Sequence, residues 1–284
     1  MPSLYRQTKS EIAPLDLRFS REELEARIDR LTAFIEERVD AADADGALVA
    51  LSGGIDSTAT AHLAVEALGA DSVHGVLLPK QVNQEENVSD AERVARELGI
   101  TYDVIHIDGI VDEILEAYTA GVDDESEGRW EDRYVGNTSA RVRMTLNYLV
   151  ANYENELVLG TGNRSELATG YVTKYGDGGV DCNPLGNLYK QQVRQVAARL
   201  GVDEELVQKT PTGGMVDYDT DEEEFGVDYD TLDAILALHV DGGVPASTTA
   251  RLADASIEDV EHVVEMHEES EHKRTPPGSP EPLQ

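Results

Sequence analysis

In Ala47-Leu48-Val49-Ala50-Leu51-Ser52-Gly53-Gly54-Ile55-Asp56-Ser57, five apolar residues end abruptly in a serine and two glycines, and a helix-forming stretch follows. A short apolar run bounded by glycine reads as a buried strand, here Ala47–Leu51. The pattern Ser57–Leu68, stopped by Gly69, reads as a helix. Paired glycines at such a junction let the backbone turn tightly and bring its N–H groups close to an anion. The unbonded N–H groups at the start of the helix favour a phosphate there, and Ser52 and Ser57 add hydroxyl donors. Asp56 is a poor neighbour for bare phosphate but a good ligand for Mg²⁺ bridging phosphate oxygens. As glycines near a helix start alone, the run is equally an ordinary structural turn.

Working outward, the periodicity predicts a helix over Arg21–Ala42 with Ser20 as its cap, and further strands over Val73–Leu78, Tyr102–Ile107 and Leu157–Thr161. Helices are predicted between them, over Asp90–Leu98, Ile110–Tyr118 and Thr138–Tyr153. This alternation implies an α/β fold, a parallel sheet flanked by helices on both faces. Beyond Thr161 strand signals fade into a helical C-terminal part: Tyr189–Leu200, Tyr229–His239, Ala246–Ala253 and Ile257–Glu268. Lys80–Val88, Gly121–Gly136 and Thr210–Gly226 read as mobile segments. Residues 1–274 read as one domain, with the proline-rich Thr275–Gln284 as a disordered tail.

Charge narrows the partners. The 284 residues carry 57 acids against 23 bases, a formal net charge of -34. Such a polyanion repels nucleic acid and anionic lipid, so neither is an expected partner. The acids are dispersed, their mutual repulsion is relieved by salt, and a high-salt cytoplasm is the expected setting. No run approaches the roughly 18 apolar residues of a membrane helix, and the polar N-terminus lacks the apolar stretch of a signal peptide. Cys182 is the only cysteine, which excludes an internal disulfide and weighs against thiol chemistry. Lysine is scarce at Lys9, Lys80, Lys174, Lys190, Lys209 and Lys273, so each retained lysine is a candidate for a purpose.

A second motif, Gly160-Thr161-Gly162-Asn163-Arg164-Ser165-Glu166, follows the predicted fourth strand. Ligands of open α/β sheets bind at the carboxyl ends of strands, which sets this loop facing the first. Glu166 is a candidate second metal carboxylate, and Thr161 a hydroxyl donor for the bound phosphate compound. The same residues also spell a helix-capping box, with Asn163 as cap and Glu166 three positions on. Glycine-rich Thr169–Asp181 follows, with Lys174 suited to a carboxylate or phosphate and Asp181 to ribose hydroxyls or an amide.

Ser52–Ser57 resembles the SGGxDS motif of the N-type ATP pyrophosphatases, whose fold is adenine nucleotide alpha hydrolase-like and Rossmann-like. Read together with Gly160–Lys190, it resembles the NAD synthetase family in its ammonia-dependent branch. Ala140-Arg141-Val142-Arg143-Met144, Pro211-Thr212, the Asp221–Gly226 run and Glu271-His272-Lys273-Arg274 support the match. The resemblance implies that Leu51, Ser52, Gly53, Gly54, Ile55, Asp56, Ser57, Thr161, Lys190 and Thr212 contact ATP. It implies Mg²⁺ on Asp56 and Glu166, and deamido-NAD on Arg141, Lys174, Asp181, His272 and Lys273. It further implies a homodimer that amidates deamido-NAD with ammonia through an acyl-adenylate, without an assigned acid or base. The loop Gly214–Asp219 departs from the family pattern, which leaves that loop's contacts open. Another ATP pyrophosphatase, acting on GMP precursors or RNA, and a non-catalytic nucleotide-binding module are the alternatives.

Overall fold

The computed structural model describes residues 15–80, 85–121, 132–210 and 220–280. The first helix, α1 (Arg21–Ala42), begins where expected: the Ser20 side chain accepts from the Glu23 N–H, and Glu23 bonds back to the Ser20 N–H. There follow β1 (Gly46–Ala50), α2 (Ile55–Leu68), β2 (Val73–Leu77), α3 (Glu85–Leu98), β3 (Thr101–Val104), α4 (Asp108–Gly121), α5 (Asp132–Glu154) and β4 (Glu156–Leu159). The strands form one parallel sheet in the order β3-β2-β1-β4. Strands run parallel because each connection carries a crossover helix.

The C-terminal part comprises α6 (Arg164–Thr169), α7 (Lys190–Arg199), α8 (Glu204–Gln208), α9 (Asp221–Phe225), α10 (Tyr229–Ile235), a π-helical turn Leu236–Asp241, α11 (Ala246–Leu252), α12 (Ile257–Glu269) and α13 (Glu271–Arg274). It has its own core around Phe225, Tyr229, Leu232, Ile235, Val260 and Val263. Residues Asp181–Cys182 lie along the outer edge of β4, with the Gly160 N–H donating to the Cys182 carbonyl at 2.8 Å. That contact covers an edge which would otherwise present unpaired backbone.

Side chains alternate along the strands and feed two further cores. Ala47, Val49, Val73, Leu77, Leu157 and Leu159 pack with residues of α1, α2 and α7, among them Leu31, Ile35, Leu63 and Val193. Leu48, Val76 and Val158 face the other way, against Val111 of α4 and Val142 and Ala151 of α5. The expected helices on both faces are therefore present. Full burial of each of these valine, leucine and isoleucine side chains is worth about 1.5–3 kcal/mol.

Helices occupy most of the described parts of the segments expected to be mobile. Helix α3 already begins at Glu85, α5 at Asp132, and α9 occupies most of the acidic run. Thr220 caps α9 by accepting from the Glu223 N–H, so acids that read as a loop instead complement a helix N-terminus. Residues 81–84, 122–131 and 211–219 lie outside the described residues, and Thr212 with them. Of the tail, 275–280 carries no helix or strand, and 281–284 lies outside the description.

Candidate active site

The turn after β1 is built as its glycines require. Gly53 has φ +78°, a conformation that a side chain would strain. The Ser57 hydroxyl receives the Ser52 N–H at 3.2 Å and donates to the Gly54 carbonyl at 3.0 Å, which ties the turn to the first coil of α2. Gly54 occupies the cap position of α2 without a side-chain hydrogen bond, so the helix presents N–H groups that no side chain caps.

Asp56, Glu166 and Lys190 meet beyond this turn. The Lys190 ammonium donates to Asp56 Oδ2 at 2.6 Å and lies 3.3 Å from Glu166 Oε1. Lys190 is 1% exposed, and its ammonium sits 5.1 Å from the centre of the Tyr229 ring. Asn163 joins the two carboxylates: its Nδ2 donates to Asp56 Oδ1 at 2.8 Å, and its Oδ1 accepts the Glu166 N–H at 3.0 Å. The Asn163 N–H in turn donates to Glu166 Oε2 at 3.2 Å. The capping box and the acidic site are thus one structure, with one carboxylate oxygen spent on the helix cap and the other turned to the cation.

Burial, then the charge of Asp56, push the Glu166 carboxyl well above the usual range, and Lys190 only partly opposes them. Burial also works against the Lys190 ammonium, but Asp56 and Glu166 outweigh it and hold the group above the ordinary lysine value. These residues, with Thr161 and the turn Ser52–Ser57, line a cavity of about 350 Å³ that extends to the ends of β1 and β2. Two convergent carboxylates form too small a set to enclose a metal, and among the described residues no cluster of three or more metal-ligating side chains occurs. They do fit Mg²⁺ carried in on a nucleotide, which takes one or two carboxylates and completes its shell with phosphate and water.

A second, basic constellation surrounds the loop Gly170–Tyr175. Arg141 Nε donates to the Lys174 carbonyl at 3.3 Å, and the Lys174 ammonium donates to the His272 carbonyl. The Lys273 ammonium donates to the carbonyls of Gly170 at 2.6 Å and Val172 at 2.9 Å. Burial lowers its pKa from the ordinary lysine value. Asp181 stands apart from this group: it accepts from the Val158 N–H at 2.8 Å and from the Tyr148 hydroxyl at 3.0 Å. Cys182 is buried and its thiol is pushed up to about 11, a setting for packing rather than nucleophilic attack.

Residues 27–277 match the family model described as NAD synthase. The chain belongs to the NAD synthase family. A relative from Halobacterium salinarum, named NH(3)-dependent NAD(+) synthetase, is 52% identical over 269 residues, which is 95% of this chain and 98% of that protein. Among solved structures, an NMN synthetase from Francisella tularensis is 30% identical with TM-score 0.78, covering 92% of this chain and 99% of its own. An NH3-dependent NAD synthetase from Campylobacter jejuni is 28% identical with TM-score 0.73, covering 91% and 99%.

Two residues that sequence reasoning missed, Asp221 and Asp233, support the centre. Asp221 is buried, lines the cavity, and accepts from the hydroxyls of Tyr229 at 2.8 Å and Tyr171 at 3.2 Å. The Thr220-x-x-Glu223 box was the available signal that a helix, not a loop, begins there. Asp233 of α10 is fully buried and accepts from the Ser165 hydroxyl and, at 3.1 Å, from the Gln191 N–H. It clamps the first turns of α6 and α7, the helices that carry Glu166 and Lys190. Burial pushes its carboxyl up to about 6. No local pattern marks it, because its partners lie 68 and 42 residues away in the chain.

Proposed function

We propose that this chain amidates deamido-NAD with ammonia at the expense of ATP, giving NAD, AMP and pyrophosphate. The single observation that carries the reading is the cavity in which the Ser52–Ser57 turn faces Asp56, Glu166 and Lys190. The turn binds the triphosphate through N–H groups and hydroxyls. The nicotinate carboxylate attacks the α-phosphorus, the bond to the β-phosphate oxygen breaks, and pyrophosphate leaves. Lys190, fixed between two carboxylates, holds positive charge beside that departure. Ammonia then attacks the activated carbonyl, expels AMP and loses one proton. Asp56 and Glu166 would hold Mg²⁺ brought in with the phosphates, and the ion would supply charge neutralisation at the leaving group. The basic group Arg141, Lys174, His272 and Lys273 takes the anionic dinucleotide, while Thr161 and Thr212 contact ATP and Asp181 a ribose or amide.

Ammonia is the nitrogen source in the names of the Halobacterium and Campylobacter relatives. The Francisella relative supports a second reading, in which the acceptor is the mononucleotide. The 52% identity to the NAD(+) synthetase, against 30% to the NMN synthetase, favours the dinucleotide. A second copy of the chain covers the faces of α4 and α5 on which Ile110, Ile114, Tyr118, Leu149 and Tyr153 stand exposed. The protein works in a salty cytoplasm, as its charge of -34 and its relative in the halophile Halobacterium salinarum support. No described helix is long and apolar enough to cross a membrane.

The test is a product assay in concentrated KCl with Mg-ATP, ammonium and either deamido-NAD or its mononucleotide. NAD formed with matching AMP from the dinucleotide supports the reading, and faster turnover of the mononucleotide replaces it with the second. No ATP consumption with either acceptor rejects both. Light scattering of the wild type and of Leu149→Asp tests the dimer, which the substitution is expected to split.

A further inference from the structure

Among the described residues, Asn147 Oδ1 is the buried side-chain polar atom without a hydrogen-bond partner. Leaving a buried acceptor unpaired is costly, so a residue retained there calls for a partner that arrives later. Asn147 is 8% exposed and lies on α5, one turn beyond Arg143 and Met144. All three line the cavity that holds Asp56 and Lys190.

The surroundings identify the class of that partner. Arg143 Nε donates to the Leu78 carbonyl at 3.0 Å, which fixes this face of α5 over the end of β2. The cavity wall there is apolar, formed by Val76, Leu77, Leu78, Pro79 and Val180. The phosphate-binding turn follows β1, the strand next to β2, and the Leu51 N–H bonds the Val76 carbonyl at 2.9 Å. A nucleotide with its phosphates on that turn can lay a flat base on this wall beneath α5. An asparagine amide pairs an acceptor with a donor, and adenine offers the complement, a 6-amino donor beside a ring-nitrogen acceptor. A nicotinate carboxylate has no proton to give and would leave Oδ1 unpaired.

We propose that Asn147 reads the 6-amino edge of the ATP base and so sets the nucleotide preference of the cavity. The proposal rests on the reading that the Ser52–Ser57 turn binds ATP. It is tested by calorimetry in concentrated KCl with the Mg complexes of ATP and of purine riboside triphosphate, which lacks the 6-amino group. Wild type is expected to prefer ATP by about tenfold, the worth of one hydrogen bond. Asn147→Leu is expected to bind the two nucleotides equally: both lose the amide N–H to the ring nitrogen, and ATP, which also loses the acceptor for its amino group, weakens about tenfold more than the analogue. Asn147→Asp keeps an acceptor and is expected to retain a preference for ATP. Without nucleotide, the Leu variant should melt no lower than wild type, since an apolar isostere replaces an unpaired acceptor. A lower melting temperature with equal weakening of both nucleotides would mean that Asn147 only packs the helix, and would overturn the proposal. Unchanged nucleotide selectivity in the Leu variant overturns it too, while leaving ATP binding intact. Wild-type protein that binds no Mg-ATP overturns instead the reading on which the proposal rests.

Discussion

Lys190 and Lys273 are each tied down by close contacts to two oxygen acceptors, but the acceptors differ in kind. Lys190 lies between the carboxylates of Asp56 and Glu166, whereas Lys273 is held by the neutral carbonyls of Gly170 and Val172. Lys174 and Arg141 follow the second pattern, each bonded to a main-chain carbonyl. The first arrangement neutralises its cation and makes it part of the fold. The second fixes the position of its cations while leaving their charge uncompensated by a paired carboxylate. Among the described residues no carboxylate forms an ion pair with these cations, and only the negative charges of Asp177 and Glu224 act on Lys273 from farther off. That is the arrangement expected if the group is to take an anion from outside.

The comparison predicts that the two regions fail differently. Lys190→Met leaves two buried carboxylates facing each other, and stability is expected to fall by about 3–5 kcal/mol along with all activity. A loss under about 1 kcal/mol, read by thermal unfolding in concentrated KCl, would break the claim that this ion pair is structural. Asp56→Asn keeps the shape and is expected to lower kcat by roughly 10²–10³. Its melting temperature should fall far less than that of the Lys190 variant, because Lys190 retains Glu166.

Lys174→Ala should do the reverse. The KM for deamido-NAD is expected to rise about tenfold, equivalent to one charge-assisted contact, while the KM for ATP and the melting temperature stay within error. A matching rise in the ATP KM would merge the two regions into one.

The smallest effect is expected at the start of the sheet strands, among residues that do not line the cavity. His74 Nδ1 lies 3.3 Å from Glu156 and Nε2 lies 3.2 Å from Asp103, and the bond to Glu156 raises its pKa despite burial. Folding therefore favours the protonated ring. Its contribution is complete below the unfolded value of about 6.5 and is lost as pH climbs through the raised folded value. Unfolding midpoints are expected to decline over that window, and His74→Gln to flatten the decline without altering either KM.

Much of the sheet and the phosphate turn was legible in residue order. Helix α1 matches its expected bounds because a capping box and apolar spacing agree locally. Strand and helix ends elsewhere shift by one to several residues, since termini answer to tertiary contacts rather than to pattern. Composition misread Asp221: an acidic run looks solvated until two tyrosine hydroxyls bury its first member.

The sequence alone determined the alternating α/β order, the glycine turn and the identity of the acidic and basic side chains, because each depends on neighbours a few residues apart. Only the tertiary structure decided which charges meet. Lys190 reaches Asp56 across 134 residues, Asp233 joins two helix starts, and Asn147 is left with an unpaired oxygen in the cavity wall. Pairing and desolvation depend on distance in space, and chain order does not carry that distance until the fold has closed.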